Sequence, residues 1–133
     1  MITGGCLCGA VAFELQHPLR PVYACHCEQC RRTSGNYWAA TSVPDAALTM
    51  RRQEGLRWFQ SSETAKRGFC QYCGSSLFWI PKDEGRTVVA AGAIDGQTGL
   101  KTKAHIYVQD KGDYYEIADG LPQSNLMMGD ESD

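Results

Sequence analysis

Between residues 11 and 16 apolar and polar or small positions alternate. Val11, Phe13 and Leu15 are separated by Ala12, Glu14 and Gln16, the two-residue period of a strand with one buried face. The same reading predicts strands over 37–43 (YWAATSV), 56–60 (LRWFQ), 76–80 (SLFWI), 87–91 (TVVAA) and 104–108 (AHIYV). These runs are short, rich in aromatic or β-branched residues, and broken by Gly, Pro, Asp and Ser, as in an antiparallel protein. Helical signals are sparse. The best covers 28–33 (EQCRRT), closed by Ser34 and by Gly35, which suits the left-handed position after a helix end. A second short turn is expected over 45–48, after Pro44.

The pattern therefore describes a mainly β fold of short antiparallel strands with long connections. No internal repeat or linker interrupts it, so residues 1–124 are expected to form a single domain and residues 125–133 a polar, acidic tail. At 133 residues the chain is long enough to bury a core without staples. Its 21% charged and 43% hydrophobic residues are those of a globular protein rather than a disordered one. The first residues, MITGGCLCGAVAFEL, carry neither a basic start nor an apolar run long enough for a signal peptide or a membrane span, so a cytoplasmic location is expected. A net charge of −2 argues against nucleic acid as a partner, because such binding rests on neutralising phosphates with Lys and Arg.

Seven cysteines change this picture, because in a reducing compartment closely spaced thiols bind metal or do chemistry more often than they pair as disulfides. They fall into three groups: Cys6 and Cys8 in GGCLCG, Cys25, Cys27 and Cys30 in CHCEQC, and Cys70 and Cys73 in FCQYCG. Two of the groups contain C-x-x-C, whose short loop lets both sulfurs face one tetrahedral ion about 2.3 Å away. Gly74, directly after the second, can take the positive φ that turns the backbone over the ion. Structural zinc sites are closed by four protein ligands, and catalytic ones supply three and keep a position open. The count then divides into a closed site of Cys6, Cys8, Cys70 and Cys73 and an open site of Cys25, Cys27 and Cys30. Competing readings are buried free thiols for the first set and, for the second, a redox pair or a single zinc with His26 as fourth ligand. His26 sits between two side chains that must converge, which turns its ring away from them. His17, before Pro18, reads as a surface turn residue.

These residues resemble a known family. The order G-x-C-x-C-G-x-V-x-F (4–13), C-H-C-x-x-C-R-R-x-x-G (25–35) and R-x-F-C-x-x-C-G-x-x-L (67–77) is similar to that of the glutathione-dependent formaldehyde-activating enzymes, a family that also includes centromere protein V. HIYV at 105–108 and DGLP at 119–122 resemble its closing motif, so the likeness runs from Gly4 to about Pro122. It implies a β-tent fold, a structural zinc on Cys6, Cys8, Cys70 and Cys73, and a second, active-site zinc on Cys25, Cys27 and Cys30. The implied activity is carbon-sulfur lyase chemistry, joining formaldehyde to glutathione as S-hydroxymethylglutathione or the reverse.

A divalent ion bearing three thiolates is net negative. It is a poor generator of hydroxide but well suited to holding an incoming thiol as thiolate, below its usual pKa of about 8.5. The expected partners are thus a small-molecule thiol, with glutathione as the candidate, and an aldehyde. Carboxylates on such a thiol would want Arg or Lys, for which Arg31, Arg32, Lys66 and Arg67 are the candidates. Ser34, Tyr37 and Trp38 are candidate pocket residues, and His105 is the first candidate for proton transfer. The rival classes are a non-catalytic zinc scaffold that binds a protein or nucleic-acid partner, and a metal-free thiol redox enzyme.

Overall fold

The computed structural model describes residues 1–127, so 128–133 of the expected acidic tail lie outside the described residues. In chain order the elements are β1 (Ile2–Gly5), β2 (Ala12–Leu15), β3 (Val22–Cys25), α1 (Glu28–Ser34), β4 (Trp38–Pro44), β5 (Leu48–Arg52), β6 (Leu56–Ser62), β7 (Ala65–Cys70), β8 (Ser76–Pro81), β9 (Arg86–Ala90) and β10 (Thr102–Ile106). They form a three-stranded sheet, β1-β2-β5, and a seven-stranded sheet, β10-β3-β4-β9-β8-β7-β6. The fold is mainly β and its pairings are antiparallel, except that β10 lies parallel to β3. Every strand run read from the pattern is present within a few residues of its expected place, and the 45–48 turn is a 3₁₀ turn over Asp45–Ala47. Among the described residues no helix is long and apolar enough to cross a membrane.

Side chains that face each other in register share a face of a sheet, which gives the larger sheet two different sides. One side packs against the small sheet. Val11, Phe13 and Leu15 there meet Val43, Leu77, Phe78 and Val89, and the rings of Phe13 and Phe78 cross edge to face at 5.3 Å. Each such buried side chain contributes about 1.5–3 kcal/mol.

The other side is different. Register aligns Cys25 with Trp38, Tyr23 with Ala40, Ser42 with Val88, Val88 with Trp79, and Trp79 with Arg67. This side carries a small apolar cluster of Cys30, Trp38, Ala40, Val88 and Ala90, with Trp79 packed against it. It is the floor of the candidate site.

α1 lies at the edge of that floor. Cys27 caps it, its sulfur accepting from the Cys30 N–H, and Gly35 closes it in the left-handed conformation (φ 88°) with its N–H on the Arg31 carbonyl.

Candidate metal centres and the adjoining cavity

Cys6 and Cys8 come from the β1–β2 connection, Cys70 ends β7, and Cys73 lies in the β7–β8 turn. Gly74 takes the expected positive φ (81°), and its N–H donates to the Cys70 carbonyl at 2.8 Å, folding the turn back on itself. The four sulfurs lie within 4.8 Å of one another, with Cys6–Cys8 and Cys8–Cys70 both at 3.7 Å. A tetrahedral ion with bonds of about 2.3 Å to sulfur requires an edge of about 3.8 Å, so the donor set fits one ion. Neighbouring donors pull two of these thiols, Cys6 and Cys73, down. Against a backbone hydrogen bond from Ala10, desolvation and the adjoining thiols push Cys8 up to about 11. The Val11 N–H donates to Cys6 Sγ at 3.2 Å, and hydrogen bonds from the Ser75 hydroxyl and amide pull the Cys73 thiol down to about 5.

The second cluster is local. Cys25 ends β3, Cys27 caps α1 and Cys30 lies one turn on, their sulfurs again within 4.8 Å of one another. Hydrogen bonds from Cys25 and Cys30 pull Cys27 down to about 2, helped by the Cys30 amide and the Arg67 charge, and the same contacts push Cys25 upward. Three thiols so close therefore ionise together only when a cation balances them. Both cysteine groups can hold a metal ion.

All three sulfurs of the second group open on one cavity, whereas of the first group only Cys6 lines a cavity among the described residues. The cavity of the second group has a volume of about 430 Å³, and Cys25, Cys27 and Cys30 line it together with Trp38, Trp79 and Tyr107. Tyr107 is one of two non-glycine residues with positive φ (55°) among those described, a strained conformation characteristic of functional positions. Three arginines reach the same space. Arg67 donates to Gln29 Oε1 at 3.0 Å and to Cys30 Sγ at 3.6 Å. Arg20 donates to the Ala40 carbonyl at 3.2 Å and lies over the Tyr23 ring, while Arg86 donates to Ser42 Oγ at 3.4 Å and to Glu84 at 2.9 Å. Glu28 and Asp110 are the acidic residues of the lining.

Behind the three-cysteine loop runs a chain of hydrogen bonds. Tyr115 Oη meets His26 Nδ1 at 2.5 Å, His26 Nε2 meets His105 Nδ1 at 2.9 Å, and His105 Nε2 meets Asp119 Oδ2 at 2.8 Å. His26 is 1% exposed, and burial, with the charges of His105 and Lys111, lowers its pKa to about 4, so the ring is neutral at pH 7. The Leu121 amide and the His105 ring hold Asp119 below the usual carboxylate range.

Against known proteins, residues 1–110 match the family model described as glutathione-dependent formaldehyde-activating enzyme. The chain belongs to this family. A protein of Schizosaccharomyces pombe described as an uncharacterized lyase is 27% identical over 86% of this chain and 84% of its own length. A provisionally named glutathione-dependent formaldehyde-activating enzyme of Halomonas elongata is 30% identical over 88% of this chain and 81% of its own. The crystal structure of a Rhodobacter sphaeroides protein superposes with a TM-score of 0.62 at 26% identity, covering 73% of this chain and 91% of that one. Membership in the glutathione-dependent formaldehyde-activating family and these names support a lyase or formaldehyde-activating enzyme.

Of the residues singled out in the sequence, the structure gathers Cys6, Cys8, Cys70 and Cys73 in one group and Cys25, Cys27 and Cys30 in another. Arg67 and Trp38 line the cavity. The other basic candidates do not: Arg32 pairs with Glu28 at 2.9 Å on the surface, and Lys66 stacks over Trp58. Ser34 donates to the Cys30 carbonyl at the end of α1, and Tyr37 stacks on His26. Both ring nitrogens of His26 are engaged, by Tyr115 and His105, and it is not grouped with the three sulfurs. His105, the first candidate for proton transfer, has both ring nitrogens engaged and lies outside the cavity lining. Arg20, Arg86, Trp79 and Tyr107 were not found from sequence. The alternation Arg86, Val88, Ala90 carries the signal for one of them, since it puts Arg86 on the same face as the apolar floor.

Proposed function

We propose that this protein is a zinc-dependent carbon-sulfur lyase acting on thiol–aldehyde adducts such as S-hydroxymethylglutathione. A structural zinc would be held by Cys6, Cys8, Cys70 and Cys73, and an active-site zinc by Cys25, Cys27 and Cys30, within one zinc-binding domain over residues 1–124. The observation that carries the reading is that three convergent sulfurs form one wall of an arginine-lined cavity large enough for a small ligand. Bound there, zinc supplies a position at which a thiol is held as thiolate, electron-rich enough to add to a carbonyl carbon. In the forward direction a sulfur–carbon bond forms as the carbonyl π bond breaks, and the thiol proton ends on the new hydroxyl; cleavage is the reverse.

The chain's own residues do the rest. Arg67 holds Cys30 and offers charge beside the reacting sulfur. Arg20 and Arg86 would receive the carboxylates of a glutathione-like thiol, and Trp38 and Trp79 shield the site from water. Tyr107, whose phenol burial keeps protonated, is a hydroxyl donor for the oxygen of the adduct. Seven unpaired thiols support a reducing, cytoplasmic setting. The test is turnover: protein purified without chelator should carry two zinc ions per chain and accelerate equilibration of glutathione and formaldehyde with their adduct. Two zinc ions with no acceleration for any thiol or aldehyde would favour the non-catalytic scaffold instead.

A further inference from the structure

We propose that the chain Tyr115–His26–His105–Asp119 is the positioning device of the three-cysteine centre, fixing the link between Cys25 and Cys27 so that the sulfurs converge. The inference rests on the reading of those cysteines as a metal centre. His26 is the single residue between the end of β3 and the cap of α1. Any rotation of its peptide planes swings Cys25 against Cys27. Its N–H is fixed on the Ile106 carbonyl at 3.0 Å, and its ring packs against Tyr37 and Tyr115 with centroids 4.9 and 5.6 Å away.

The chain also has a direction. A carboxylate only accepts, so Asp119 takes the Nε2–H of His105. His105 Nδ1 is then an acceptor for the Nε2–H of His26, whose Nδ1 accepts from the Tyr115 hydroxyl. One tautomer of each ring satisfies every bond, and the orientation of His26 is thereby set from Asp119, 93 positions further along the chain. Tyr115 and Asp119 both lie in the segment after β10, beyond the residues 1–110 matched by the family model. That segment is tied back to β10 by the His105 N–H on the Pro122 carbonyl and the Ser124 N–H on the His105 carbonyl, both at 2.9 Å. Apolar side chains would pack it down without the desolvation cost of two imidazoles, so the polar chain is better explained by orientation than by adhesion. Groups hydrogen-bonded directly to metal ligands typically change affinity about 10–100-fold, which sets the scale for a chain that acts on the link between two ligands.

The test uses Asp119→Ala, Asp119→Asn and Tyr115→Phe in the full chain. Asp119 is nearly half exposed, so the substitutions leave the core intact. Cobalt or zinc affinity at each centre is measured by competition with a chromophoric chelator, and the imidazole tautomers by NMR of ¹⁵N-histidine-labelled protein. Asp119→Ala should weaken the three-cysteine centre about 10–100-fold while the four-cysteine centre and the melting temperature hold. Asp119→Asn, whose amide oxygen accepts the same bond, should recover most of that loss. Tyr115→Phe should give a smaller loss, because the bond that fixes His26 to His105 remains. Both rings should be Nε2–H tautomers in the parent and in Asp119→Asn, with His105 mixed in Asp119→Ala. Equal affinity of parent and Asp119→Ala at the three-cysteine centre would overturn the positioning role alone, as would parallel weakening of both centres. A parent protein that takes up one metal ion only would overturn the reading of the open centre and this inference with it.

Discussion

The four-cysteine and three-cysteine groups are built from the same side chain but join different things. Cys8 and Cys70 approach to 3.7 Å across 62 positions of sequence, so an ion there ties the β1–β2 connection of the small sheet to the β7–β8 turn of the large one. Cys25, Cys27 and Cys30 are already neighbours on a strand end and one helical turn, and their ion would tie together nothing that the backbone does not. The first group borders the Phe13–Phe78 core; the second faces an arginine-lined cavity on the opposite side of the sheet. Binding energy spent on closing a long loop is folding energy, whereas binding energy at a preformed local site is available for ligand exchange.

The comparison breaks most visibly at Cys70→Ser. A structural zinc is worth on the order of 10–16 kcal/mol at neutral pH, comparable to or larger than the stability of a whole domain, so this variant should yield little folded soluble protein. Cys27→Ser should instead give soluble protein with one metal ion fewer, a melting temperature within a few degrees of the parent, and turnover at background. Equal loss of soluble protein in the two variants would count against the division of roles.

Charge in the cavity gives the next effect. Arg86→Gln should raise KM for glutathione roughly tenfold, the value of one charge-assisted hydrogen bond, and leave KM for an uncharged thiol such as 2-mercaptoethanol unchanged. An equal rise for both thiols would remove Arg86 from carboxylate recognition.

The smallest effect lies far from either centre. A hydrogen bond from Arg51 holds Glu14 below its ordinary value of 4.5. A carboxyl depressed by folding stabilises the folded state in full above its unfolded pKa, and loses that contribution as pH falls through the folded value. Glu14→Gln should therefore flatten the acid side of the stability curve and move the melting temperature at pH 7 by no more than a few degrees, as an exposed pair does.

Much of this contrast was legible in the cysteine spacing, because ligand geometry is local: C-x-x-C and the glycine after it restrict the backbone whatever surrounds them. The alternating strands were legible for the same reason. β3 was not, because Val22, Tyr23 and Ala24 are all buried and show no alternation. β1 hides behind two glycines, and β7 mixes Lys66 and Arg67 with Gly68 because one of its faces borders the cavity. The arginines of the site come from three separate strands or loops that only the sheet order brings together. Arg31 and Arg32 were attractive in sequence because they adjoin the triplet, but a helix turn carries successive residues to different sides. The pairing of His26 with His105 depends on the parallel register of β3 and β10, which no local pattern announces.

The most direct measurement is the absorption spectrum of cobalt-substituted protein before and after adding a thiol. Two cobalt ions per chain are expected, with thiol changing the bands of one tetrahedral centre and leaving the other as it was, and with the responsive centre absent in Cys27→Ser. A single cobalt per chain, or two centres that both ignore every thiol offered, would contradict the account.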